Sequence, residues 1–165
     1  MTAAWVAIGG NIEPERRLPQ AARLLRARFP DVRFSRCYRN AAFGFDGADF
    51  YNAAACFDTA LAVPELLAAL HAIEAQCGRG RADPKWAPRA MDIDLLAYGD
   101  ATGRFEGATL PRPDLLRRAY MLGPMAELAP AWRHPLAGRT LAELWRELAP
   151  STPPLTDTRL DLNAA

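Results

Sequence analysis

The sequence predicts an α+β domain: an antiparallel sheet with helices packed on it and extra helices at the C-terminal end. Three observations carry this. Short apolar stretches of strand character alternate with two amphipathic helical stretches, in the order strand, helix, strand, strand, helix, strand. The chain has 165 residues, 50% of them hydrophobic, which suits one domain around one core. No internal repeat or linker divides residues 1–150, so these are expected to form a single domain.

Ala3 to Ile8 is short and apolar and stops at Gly9-Gly10-Asn11, the pattern of a buried strand ended by a turn. From Glu13 to Phe29, Leu18, Ala22, Leu25 and Phe29 fall on one stripe with arginines opposite, which predicts a helix. Val32, Phe34 and Tyr38 alternate with polar residues as a half-buried strand does. Residues 41–49 are rich in Gly, Ala and Asp and predict a loop. Asn52 to Thr59 is the third strand. Pro64 suits the first turn of a second helix, whose inner face carries Leu66, Leu70, Ile73 and Cys77 and which Gly78 ends. A basic loop over 79–89 precedes a fourth strand, Ala90 to Tyr98, and helices are expected near 118–128 and 140–148. The order βαββαβ is that of a ferredoxin-like fold. Residues 151–165, rich in proline and polar side chains, are expected to be a loosely ordered tail.

Composition narrows the function classes. The formal net charge is +1, which gives no global attraction to nucleic acid or to a membrane surface. No apolar run approaches a membrane span, and the first residues lack the pattern of a signal peptide. Cys37, Cys56 and Cys77 are far apart and form no CxxC pair, so buried reduced thiols are expected rather than disulfides or a zinc site. These features together predict a protein of the reducing cytoplasm with no nucleic-acid or membrane partner; a monomer is the expected state. His71 and His134 stand isolated, and Trp5, Trp132 and Trp145 are assigned to packing.

The chemistry concentrates in Met91-Asp92-Ile93-Asp94-Leu95-Leu96. Residues two apart on a strand share a face, so Asp92 and Asp94 project together while Met91, Ile93 and Leu95 point into the core. Paired carboxylates suit a hard divalent cation, and Mg²⁺ with bound phosphates fits best; two acids on a solvated face is the alternative. Immediately upstream, Arg79, Arg81, Lys85 and Arg89 surround Trp86. Guanidinium forks match phosphate oxygens, and cations for phosphate beside carboxylates for Mg²⁺ are the parts of a phosphoryl-transfer site. No P-loop motif is present, so a nucleotide would be held by side chains.

Gly78-Arg79-x-Arg81, Lys85-Trp86-x-Pro88-Arg89 and Asp92-Ile93-Asp94-Leu95 closely resemble the signature of the 6-hydroxymethyl-7,8-dihydropterin pyrophosphokinase family: G-R-x-R, R-W-G-P-R and D-[LI]-D-[LI]. Ala7-Ile8-Gly9-Gly10-Asn11, Phe50-Tyr51-Asn52-Ala53, Leu110-Pro111-Arg112-Pro113, Arg118-Ala119-Tyr120 and Glu127-x-Ala129-Pro130 match further family pieces in order, over about residues 3–148. The resemblance implies pyrophosphoryl transfer from ATP to the pterin hydroxymethyl group in folate biosynthesis. It assigns two Mg²⁺ ions to Asp92 and Asp94, and charge neutralisation on the transferred group to Arg79 and Arg89. The implied ATP contacts are Arg81, Lys85, Leu95, Arg112 and Arg118. The implied pterin contacts are Phe43, Asn52, Trp86 and Tyr120. Glu74 is placed on the exposed side of the second helix, either tying down a loop arginine or simply solvated.

The chain departs from the family pattern at four places. Asn40-Ala41-Ala42-Phe43-Gly44 stands where the family has T-x-P-x-G, Arg112 replaces a histidine, Gly10 a serine and Ala87 a glycine. Two other readings remain at this point: a relative acting on another pterin or binding ATP and pterin without catalysis, and a nucleic-acid-binding sheet. The last lacks the paired aromatics on central strands that such sheets use.

Overall fold

A computed structural model describes residues 1–41, 47–78 and 90–165. β1 (Thr2–Gly10) is followed by α1 (Pro14–Arg28), β2 (Arg33–Phe34), β3 (Tyr38–Asn40), β4 (Phe50–Thr59), α2 (Val63–Gln76) and β5 (Asp92–Tyr98). Then come β6 (Gly103–Phe105), β7 (Ala108–Leu110), α3 (Ala119–Leu128), α4 (Leu141–Leu148) and β8 (Thr156–Asp157). The main sheet runs β5-β1-β4-β3-β8, with β2 also pairing β4, and every neighbouring pair is antiparallel. With β2 and β3 counted as one broken strand, this is the ferredoxin-like strand order the sequence predicts.

Both faces of the sheet are covered. On one, Val6, Ile8, Phe57, Ile93 and Leu95 pack against Leu18 and Leu25 of α1 and Leu66, Leu70 and Ile73 of α2. On the other, Ala7, Ala54, Leu96 and Ala97 pack against Met121, Leu122 and Met125 of α3 and Leu141 of α4. Trp5, Trp132 and Trp145 close the rim of this second layer, with Trp5 and Trp132 ring centroids 5.2 Å apart. Gly78 ends α2 with φ at 92°, as expected of a glycine after a helix. Thr140 and Glu143 cap α4 reciprocally, each side chain accepting the other's backbone N–H.

Three features differ from the sequence expectation. The strand expected over Val32 to Tyr38 is broken in two. Ser35 Oγ accepts the Ala54 N–H at 2.9 Å, so a hydroxyl takes the donor that a regular ladder would give to a carbonyl. The hairpin β6–β7 was not anticipated: three-residue strands are too short to show a period. The segment 151–165 is packed rather than loose. β8 pairs with β3, Leu162 is buried in the core, and the Asn163 side chain bonds both the N–H and the C=O of Phe34. Arg26 of α1 reaches the carbonyls of Leu162, Asn163 and Ala165. Scattered single anchors of this kind leave no pattern in a proline-rich sequence.

Candidate active site

Register across the central strands assembles the site. Gly9 of β1 lies opposite Asn52 of β4 on one side and Asp92 of β5 on the other; one rung along, Ala7 lies between Ala54 and Asp94. All six residues share one sheet face, since positions two apart on a strand point the same way. Gly9 forms a low floor between the Asn52 amide and the half-buried Asp92, while Ala7 and Ala54, one rung along beside Asp94, are buried in the layer under α3. The floor at Gly9 is obligatory: a Cβ there would stand 2.2 Å from Asn52 Oδ1. On the same face Ala7, Ala54, Leu96 and Ala97 lie in the layer under α3, so Asp92 stands at the end of the face beyond that layer and the half-buried Asp94 at its margin.

The open edge of β5 is stitched on both sides of Asp94. Glu74 Oε2 accepts the Ile93 N–H at 2.7 Å, and the Arg112 N–H donates to Leu96 O at 2.8 Å. Glu74 is therefore buried, 6% exposed, not on the solvated side of α2 as expected. An edge strand leaves N–H groups unpaired, and the inner flank of α2 supplies the acceptor. Asn52 is likewise buried, 8% exposed, and donates through Nδ2 to Asn40 Oδ1.

Arg112 Nη1 stands 3.6 Å from Asp94 Oδ1, and its Nε is buried with no hydrogen-bond partner among the described residues. Tyr120, in the first turn of α3, is within electrostatic reach of the same pair. Its phenol is pushed up mainly by burial, with Asp114 and Asp94 adding to the rise and Arg118 and Arg112 opposing it. Arg112 and Arg117 also line an open cleft of about 600 Å³ with Arg104, Thr109 and Asp114.

The structure thus brings Asn52, Asp92, Asp94, Arg112 and Tyr120 to one end of one face, with Arg118 two residues before Tyr120. It does not place the Leu95 side chain there. Leu95 is 3% exposed and packed among the residues under α1 and α2, because it alternates with the aspartates on β5; a contact from this side chain to ATP is ruled out by burial. Phe43, Arg79, Arg81, Lys85, Trp86 and Arg89 lie outside the described residues. Gly9, Asn40 and Glu74 were not singled out as contributors in these roles. Their signal is cross-strand register and edge satisfaction, which a linear pattern does not display.

The donor set fits a hard cation. Two adjacent carboxylates supply oxygen ligands, and among the described residues no cluster of three His, Cys, Asp or Glu forms a softer or fuller cage. Mg²⁺ is ordinarily held by one or two carboxylates, with water and phosphate completing its shell.

Fold and face together define a ferredoxin-like α+β domain with a pair of aspartates on one end of its sheet. The model of the 7,8-dihydro-6-hydroxymethylpterin-pyrophosphokinase (HPPK) family matches residues 5–130, and the chain belongs to that family. It is 39% identical over 144 residues to the 2-amino-4-hydroxy-6-hydroxymethyldihydropteridine pyrophosphokinase of Synechocystis sp., covering 86% of this chain and 73% of that protein. The enzyme of the same name from Pseudomonas aeruginosa is also 39% identical over 144 residues, covering 85% of this chain and 88% of its own. Among solved structures, Plasmodium falciparum HPPK-DHPS with pteroate superposes with a TM-score of 0.70 at 12% identity, over 88% of this chain and 42% of that one. A second structure of the same wild-type protein, with no ligand named, gives 0.66 at 12% identity, over 88% and 44%. This chain spans about two fifths of those structures' chains, and at that identity the likeness is one of fold. No helix among the described residues is long and apolar enough to cross a membrane.

Proposed function

We propose that the protein transfers the pyrophosphoryl group of ATP to the hydroxymethyl oxygen of 6-hydroxymethyl-7,8-dihydropterin, releasing AMP. The observation that carries this is the two-rung arrangement of Asn52, Asp92 and Asp94 beside the Gly9 floor, in a chain of the pyrophosphokinase family.

In this reading Asn52 hydrogen-bonds the edge of the pterin ring, and Tyr120 packs on its face together with Trp86 and Phe43. Asp92 and Asp94 would hold the Mg²⁺, two ions being expected. The metal supplies neutralisation of phosphate charge and alignment of the ATP chain. Arg79 and Arg89 compensate charge on the transferred group, Arg81 and Lys85 the remaining phosphates, and Arg118 the nucleotide. Arg112 turns from Asp94 toward phosphate when the nucleotide binds. Its planar fork of N–H donors can meet two phosphate oxygens at once, where a histidine in its place offers a single donor on each ring nitrogen. The pterin hydroxyl oxygen forms a bond to the β-phosphorus as the bond to the α,β-bridging oxygen breaks. AMP leaves with that electron pair, and the hydroxyl proton passes to solvent. Catalysis by these residues is positioning and charge compensation, with no covalent intermediate on the protein.

In this reading the protein works as a monomer in the cytoplasm, a reducing compartment in keeping with its three free, buried cysteines. The test is to mix purified protein, Mg²⁺-ATP and the pterin and separate the nucleotides. AMP and pterin diphosphate in equal amounts are expected; ADP alone, or no turnover, would sink the reading.

A further inference from the structure

Asn40 stands where the family pattern has threonine, and its side chain is joined to Asn52. The direction of that bond follows from a third group. Asn40 Nδ2 donates to the Ala41 carbonyl at 3.1 Å, and a carbonyl only accepts. Asn40 therefore turns its Oδ1 toward Asn52, which must answer with Nδ2. The Asn52 Oδ1 is then the atom left over the Gly9 floor, where a Cβ on Gly9 would meet it at 2.2 Å. Turned the other way, the Asn52 amide would set two acceptors against each other in a site where Asn52 is 8% exposed.

We propose that Asn40 is a positioning residue for substrate recognition. Through the relay Ala41 C=O, Asn40, Asn52 it locks the Asn52 amide with its acceptor over the site floor, selecting a heterocycle edge that presents an N–H there. The proposal rests on the pterin reading above, and it assigns Asn40 no contact with substrate. What matters at position 40 is an acceptor within reach of Asn52 Nδ2. A threonine hydroxyl supplies one; a valine of the same shape does not.

The test compares wild type with Asn40→Thr and Asn40→Val as full chains, titrating the pterin in the presence of Mg²⁺ and a non-hydrolysable ATP analogue. Asn40→Thr is expected within about twofold of wild type. Asn40→Val is expected to bind the pterin about tenfold more weakly, the effect of one hydrogen bond of about 1.4 kcal/mol. Its affinity for the ATP analogue alone should not change. Equal pterin affinity in the Val and Thr variants would overturn the role of Asn40 while leaving the pterin reading intact. Wild type that binds no pterin overturns both. A readout free of substitution is the side-chain amide of Asn52 by NMR in the ligand-free protein. One N–H proton shifted downfield and slow to exchange supports the relay; two fast-exchanging protons overturn it.

Discussion

Asp94 carries the sharpest residue-level prediction. Its side chain shares a face with Asp92 and faces Arg112, while Ile93 and Leu95 hold the core on the opposite face. Asp94→Asn keeps the shape and removes the charge. Turnover is expected to fall about a hundredfold or more, with the unfolding temperature little changed; AMP release and thermal unfolding on one sample check both halves. Away from the site, buried His134 accepts the N–H groups of Leu136 and Ala137 through Nδ1, and burial lowers its pKa from 6.5. A depressed pKa means the folded state resists protonation. The stability it contributes is complete above pH 6.5 and is lost as pH falls through the folded value. His134→Asn retains an acceptor without titrating, so the difference in unfolding temperature between wild type and variant should narrow from pH 7.5 to pH 5. A constant difference would show that His134 is silent. The paired aspartates were legible in the sequence because a strand repeats every two residues. Asn40 and Gly9 were not, since their meaning lies in partners on other strands, set by register.

The element that matters most is β5, an edge strand that nevertheless bears both carboxylates. Its outer side is pinned by Glu74 at Ile93 and by the backbone of Arg112 at Leu96. Glu74→Ala leaves the Ile93 N–H without this acceptor and is expected to cost about 1–3 kcal/mol. Glu74→Gln keeps an acceptor and should recover most of that; denaturant unfolding of the two variants distinguishes them. If Ala and Gln are equally destabilised, the carboxylate charge rather than the hydrogen bond is what matters. At this scale the sequence served well for long periodic elements. Pro14–Arg28 and Val63–Gln76 fall within a residue or two of the expected helices, and Phe50–Thr59 and Asp92–Tyr98 near the expected strands. It failed where elements are two or three residues long and exist only through pairing, as in the Gly103–Leu110 hairpin and Thr156–Asp157, and it did not show the break between Arg33–Phe34 and Tyr38–Asn40 within one expected strand.

Across the whole molecule, segments far apart in sequence meet at the β3 edge. The final segment adds β8 to β3, buries Leu162 and ties the chain end to α1 through Arg26. From α3, Glu127 accepts the Arg36 N–H and the Tyr38 hydroxyl, holding β3 from the other side; burial, then Glu127 itself, pushes the Tyr38 phenol up. Asn40 is the last residue of β3, so these contacts bear on Asn52. Ending the chain at residue 150 removes β8, the partners of Arg26 and the Asn163 anchor together with buried Leu162, whose burial by itself contributes about 2 kcal/mol. A lower unfolding temperature is expected, together with weaker pterin binding and unchanged binding of the ATP analogue. Unchanged pterin affinity would show that β3 keeps its shape without β8.

Strand spacing is a length standard. Asn52 and Asp92 sit two strands apart across Gly9, so their separation is about 10 Å. Surface substitutions leave this gauge unaltered, because sheet hydrogen bonding sets it. A small molecule gripped by its ring edge at one end of the gauge brings its reacting oxygen to the carboxylates only if its own reach is the right span. A homologue with one more methylene between ring and hydroxyl should therefore occupy the floor and yet overshoot, binding as an inhibitor where the shorter compound reacts.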